Sequence, residues 1–107
     1  MKVVYTATAQ RHIAGQLTYL IDRGASGPAK RLRGRIRSFV TGFLARYPRA
    51  SRSIPDRDLF ETWIPDTPYV LLYRVDDANN TLTVLALFHA AQDRSKFVPK
   101  EALIYRR

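Results

Sequence analysis

The sequence predicts an α+β fold in which an N-terminal strand and an antiparallel helix hairpin pack on a small antiparallel β-sheet, in the order β-α-α-β-β-β. Three observations predict it. Apolar residues recur at helical spacing over two consecutive stretches of the first half. β-Branched and aromatic residues concentrate in three short runs of the second half. Turn-forming residues separate those runs at hairpin length. With 107 residues, 46% of them hydrophobic, the chain suits one domain over residues 1–107 with a single modest core.

The elements follow in order. Lys2 to Tyr5 is short, β-branched and aromatic, and reads as a strand. From Ala7 to Ile21, the residues Ala9, Ile13, Leu17, Leu20 and Ile21 mark one face of a helix. "RGASGPA" at Arg23 to Ala29 then stops that helix and starts the next, with Pro28 in its first turn. In "KRLRGRIRSFVTGFLARYP" the positions Leu32, Ile36, Phe39, Val40, Phe43 and Leu44 form one helical stripe, so Phe39 and Phe43 are expected in the core. Pro48 ends this helix, and a short connection makes the pair a hairpin. "RASRSIP" reads as a loop. Three strands are expected at Asp58 to Ile64, Pro68 to Val75 and Thr81 to Phe88, joined by "PDT" and "DDANN". The last two are apolar on both faces, which places them at the centre of the sheet beneath the helices. Residues 97–107 read as a C-terminal tail or a short helix begun by Pro99.

Composition narrows the chemistry. There is no cysteine, hence no disulfide framework, thiolate nucleophile or cysteine-ligated metal. No apolar run reaches the ~20 residues of a membrane span or forms a signal-peptide core, so a soluble, cytoplasmic protein with no membrane partner is expected. No glycine-rich phosphate loop is present, and the Asp76, Asp77, Asn79 and Asn80 cluster lacks the spacing of a calcium loop. No cofactor and no metal are expected.

The charge is concentrated. Against 18 Lys and Arg the chain has 9 Asp and Glu, a formal net charge of +9. Between Asp22 and Asp56 no acid occurs, while Arg23, Lys30, Arg31, Arg33, Arg35, Arg37, Arg46, Arg49 and Arg52 all fall there. Such a face attracts nucleic acid or an acidic protein segment, and equally keeps a helix flank solvated.

The end of the predicted meander is more particular. "PYVLLYRVDD", a turn, an apolar strand and then "FHAAQDR" place Tyr69, Tyr73, Arg74, Val75, His89, Asp93 and Arg94 in a pattern that resembles the RelE/ParE superfamily, the toxins of bacterial type II toxin-antitoxin pairs. The resemblance covers roughly Lys2 to Lys96, with the helices matching in layout. It implies one of two activities. RelE-like members are ribosome-dependent mRNA endoribonucleases; ParE-like members act on DNA gyrase and block replication. Where the nuclease pattern often carries lysines and arginines, this chain has Glu61, Trp63, Val70 and Gln92. Charges expected to stabilise a pentacoordinate phosphate are thereby missing. One nuclease subgroup uses glutamate, arginine and histidine instead, for which Glu61, Arg74 and His89 would serve.

Hairpin geometry bears on that triad. If "DDANN" closes the hairpin, Arg74 lies opposite about Leu82, and His89 lies seven residues further along, about 23 Å at ~3.3 Å per residue. Trp63 is expected opposite about Tyr69, which gathers Trp63, Tyr69 and His89 at one end of the sheet and Arg57, Arg74, Asp76 and Asp77 at the other. His89 suits a general base, or a strand-end histidine satisfied by a turn. Arg74 suits a target contact, or a cross-strand pair with Asp58, Asp76 or Asp77.

The expectation is thus a ParE-like toxin that binds and inhibits gyrase in a toxin-antitoxin hetero-oligomer. Its target-binding candidates are Arg57, Arg74, His89 and Arg94. Its antitoxin-binding candidates are Arg33, Arg37, Trp63, Tyr69 and Tyr73, meeting a cognate antitoxin through an acidic or amphipathic flexible segment that orders on binding. Ribosome and mRNA as target, or a non-toxic basic nucleic-acid-binding module, are the alternatives.

Overall fold

Strand β1 (Lys2–Tyr5) gives way to helix α1 (Ala7–Asp22) at Thr6, and one side chain explains both. The Thr6 hydroxyl accepts from the Ala9 amide at 3.0 Å, an N-cap, and donates to the Leu85 carbonyl at 3.2 Å, which ties the helix start to the sheet. The computed structural model describes residues 1–54 and 58–91. After α1 come α2 (Ser26–Arg37), a π-helical segment (Ser38–Leu44), and strands β2 (Arg52–Ile54), β3 (Leu59–Trp63), β4 (Tyr69–Asp76) and β5 (Thr81–His89).

Gly24 ends α1 with φ +77°, and the Gly24 and Ala25 amides turn back to the Ile21 and Leu20 carbonyls. This left-handed exit is open to glycine at little strain and sets up the reversal into α2. The second helix is continuous with the π-helical segment, whose buried residues continue the α2 stripe as Leu32, Ile36, Val40 and Leu44, every fourth position. In an α-helix a four-residue repeat drifts by ~40° per step. The wider turn, seen in the Ala45 amide bonding to Val40 five residues back, cancels that drift and keeps the stripe on the sheet. The same rotation moves the flanking aromatics outward. Phe43 is 41% exposed and stacks on half-buried Phe39 at 5.5 Å, so the expectation of a core Phe43 is corrected. Ile21, also expected on the buried stripe of α1, is 50% exposed.

The sheet runs β1-β5-β4-β3-β2. As expected, β4 and β5 are central and pair antiparallel, as do β3 with β4. Two features modify the predicted sheet. β1 pairs parallel to β5, from Lys2 opposite Thr81 to Tyr5 opposite Val84, because the helix hairpin returns the chain to the same side. And Arg52–Ile54, read as loop, forms edge strand β2 against β3. Leu85 is an extra residue in β5, between the pairs Leu72 with Ala86 and Tyr73 with Val84, a bulge that shifts the register by one.

Alternation sorts the sheet into two faces. Tyr69, Leu71, Tyr73, Leu82, Val84 and Leu87 join Leu17, Leu32, Ile36, Val40 and Leu44 of the helices in the main core. Leu59, Leu72, Leu85 and Ala86 form a second, smaller cluster on the other face, with Ile54 and Phe88 packed on it. Each fully buried valine, leucine or isoleucine in these clusters contributes roughly 1.5–3 kcal/mol.

Candidate functional site

His89 closes β5 on the helix-covered face, opposite Tyr69. Its Nδ1 accepts from the Ala91 amide at 3.1 Å, so the nitrogen is engaged by the turn that follows the strand. Its ring meets Tyr69 edge-on at 5.7 Å. Tyr69 itself is buried and donates its hydroxyl to Gln16 Oε1 at 3.0 Å. Burial raises the phenol above its ordinary 10.0, with a smaller contribution from Tyr19. It is held as a neutral donor.

Glu61 and Arg74 lie on the opposite face. Glu61 pairs with Leu72 of the second core cluster, and Arg74 is two residues along β4 from that leucine. Both side chains are sunk, 13% and 11% exposed. Glu61 pairs with Arg52 of β2 at 3.4 Å, and Arg74 Nε lies 3.7 Å from the Asp58 carboxylate. Along the sheet, Arg74 is opposite Thr83, so His89 is about 20 Å further along β5 at ~3.3 Å per residue. The sequence places Arg74 opposite Leu82; the one-residue difference arises at the turn, where Asp76 still pairs with Thr81 and four residues rather than five close the hairpin. Glu61, Arg74 and His89 therefore divide between two faces and two ends of the sheet.

The surface around Arg74 is acidic. A cavity of about 390 Å³ is lined by Arg74 together with Asp58, Asp76 and Asp77. Hydrogen bonds from the Asn79 side chain and backbone hold the Asp76 carboxyl below its ordinary 3.8. Asp77 takes a two-pronged contact from Arg49, at 3.1 and 2.7 Å. Among the described residues the lining sets three carboxylates against one guanidinium, with Arg49 on Asp77 from outside it, an arrangement that does not favour a phosphodiester.

The remaining candidates also separate. Trp63 is 57% exposed and stands opposite Val70 on the face away from the helices, where a partner opposite Tyr69 was expected. Tyr73 is fully buried, donates to the Pro48 carbonyl at 2.7 Å and stacks on Phe60 at 5.3 Å. It is a core residue, so Trp63, Tyr69 and Tyr73 do not share one groove. Arg33 and Arg37 project from α2 beside Tyr5, Ile13 and Ile36, around a hollow of about 170 Å³. Arg57, Arg94 and residues 97–107 lie outside the described residues.

His12 is a structural position that sequence reading passes over. β1 stops at Tyr5, and beyond it the edge of β5 is met by α1, with His12 Nδ1 accepting from the Leu87 amide at 3.2 Å. Its ring packs against Phe88 at 5.2 Å. Burial lowers its pKa below the ordinary 6.5, with Arg11 adding to the effect. The available signal was spacing: His12 and Gln16 are one turn apart beside Ala9, Ile13, Leu17 and Leu20, and both turn to the sheet. Among the described residues no group of three metal-ligating side chains occurs, and no helix is long and apolar enough to cross a membrane.

Comparison with known proteins gives three results. The family described as "ParE toxin of type II toxin-antitoxin system, parDE" matches residues 3–94. No curated protein matches. Among solved structures, the chromosomal ParDE toxin-antitoxin system of P. aeruginosa superposes with a TM-score of 0.69 at 13% identity, covering 83% of this chain and 95% of that one. The RelBE2 toxin-antitoxin complex of Mycobacterium tuberculosis superposes with a TM-score of 0.57 at 28% identity, over 82% of this chain and 95% of that one.

Proposed function

The chain belongs to the ParE toxin family of type II toxin-antitoxin systems, and from this premise we propose that it acts as a ParE-like toxin, stopping replication by binding DNA gyrase in the cytoplasm without covalent chemistry of its own. A cognate antitoxin with an acidic or amphipathic flexible segment neutralises it. One observation carries the choice between target classes. The residues that would have to cut RNA together, Glu61, Arg74 and His89, stand on different faces of the sheet, and the cavity at Arg74 is predominantly acidic. General acid-base catalysis needs its groups within hydrogen-bond reach of one substrate, whereas a binding toxin needs only surface.

Expression of the chain alone in growing bacteria, with DNA and protein synthesis followed separately by pulse-labelling, tests the reading. Early loss of DNA synthesis with induction of the DNA damage response is expected, and His89→Ala leaves that phenotype in place. Early loss of protein synthesis that disappears in His89→Ala would replace gyrase with the ribosome and mRNA.

A further inference from the structure

A cleft opens between the helix hairpin and the β3–β4 turn, with a volume of about 340 Å³. Its floor is apolar, built from Leu20, Leu32 and Tyr69, and Arg31 and Arg35 stand on its rim. Tyr69 is fixed in that floor by its hydrogen bond to Gln16. The acid in the lining is Asp66, at φ +61° in the turn, which accepts from Arg35 at 3.2 Å. Both partners are open to solvent, 46% and 78% exposed, and an ion pair so exposed is readily exchanged for another carboxylate.

We propose that this cleft is the anchor site for an acidic segment of a protein partner, which seats one apolar side chain on Leu20, Leu32 and Tyr69 and lays a neighbouring carboxylate on Arg31 and Arg35, displacing Asp66. The proposal deepens the toxin reading, and rests on it, in identifying that partner as the antitoxin.

Charge complementarity selects the occupant. Residues 23–55 contain nine bases and no acid, and two of those bases, Arg31 and Arg35, line the cleft against the acid Asp66. The last sixteen residues of the chain itself carry five bases and two acids, the wrong sign for these arginines. Nucleic acid would satisfy the guanidinium groups and leave the apolar floor uncovered, and Tyr69, 7% exposed, offers too little surface for a base to stack on. An apolar side chain flanked by carboxylates uses both halves of the site.

The test is a titration of the full chain, labelled at its methyl groups, with a short glutamate-rich peptide carrying one central leucine, and with the same peptide in which glutamine replaces glutamate. Shifts confined to the methyls of Leu20, Leu32 and Thr67 are expected, with the glutamine peptide bound much more weakly. Arg31→Glu and Arg35→Glu each weaken binding by about tenfold or more, as loss of a charge-assisted contact does. Asp66→Asn, which removes the internal competitor, tightens it. Arg46→Glu, an exposed charge away from the cleft, is the control and changes little. Equal losses at Arg46 and at Arg31, equal binding of the two peptides, shifts at other methyls, displacement of the peptide from these methyls by a single-stranded oligonucleotide, or no shift at millimolar peptide would each overturn the proposal. The pulse-labelling result is independent of it: a chain that blocks DNA synthesis but ignores the peptide retains its toxin assignment and loses this site.

Discussion

The Tyr73 hydroxyl illustrates how much one polar atom in this core is asked to do. Burial raises its pKa above 10.0, and it donates a hydrogen bond to the Pro48 carbonyl, which fastens the end of the helical half to the central strand. Tyr73→Phe keeps the packing on Phe60 and removes that bond; it is expected to destabilise by about 1 kcal/mol in urea unfolding, more if the carbonyl is left without water. At His12 the prediction concerns pH. The Leu87 amide needs an unprotonated Nδ1, and burial depresses the folded-state pKa below the 6.5 of the unfolded chain. The unfolded chain then binds the extra proton, so the stability due to His12 is fully present above about 6.5 and is lost as pH falls through the depressed folded value. His12→Ala should lower the urea midpoint at pH ~7.5 and fall less steeply on acidification than the parent. Spacing places this histidine beside the buried stripe of α1, but its role depends on the fold, because the acceptor it provides is needed only where β1 runs out alongside β5.

At the scale of elements, glycine separates propensity from backbone conformation. Gly15 and Gly34 are interior to α1 and α2, and a Cβ at either meets nothing within 4 Å. Gly15→Ala and Gly34→Ala should each stabilise by up to ~1 kcal/mol, nearly additively, in urea unfolding. Gly24→Ala should destabilise by roughly 1–2 kcal/mol, since φ +77° is strained for any residue with a Cβ. Helix existence, the hairpin reversal at Gly24 and all three strands of the meander were legible from periodicity and turn residues. What was not legible was winding: the repeat Leu32, Ile36, Val40, Leu44 fits a helix of either pitch, and only contact with the sheet selects the π-helical turn that turns Phe43 outward. Strand β2 was hidden for a related reason, since "RSI" has little strand character and is recruited by pairing with β3.

For the whole molecule, the dominant long-range term is self-repulsion. Its ion pairs at Arg35–Asp66 and Arg49–Asp77 are exposed and contribute little, while the surplus of nine positive charges favours expansion. Raising salt from about 0.05 to 0.5 M should therefore raise the melting temperature, and an acidic partner should raise it further by a route that salt weakens. The sequence by itself determined the α+β class, the order of the elements through residue 91 other than β2, the concentration of charge between residues 23 and 55, and the resemblance that the family match bears out. These depend on local periodicity, composition and motif, which are written along the chain. The faces and ends of the sheet were decided only by the fold. A four-residue turn sets Arg74 opposite Thr83, a single extra residue at Leu85 brings His89 opposite Tyr69, and the parity of each strand puts Glu61 and Arg74 on one side and His89 on the other. The cleft at Leu20, Arg35 and Asp66 joins residues from two helices and a turn, a proximity that exists only once the hairpin has closed over the sheet.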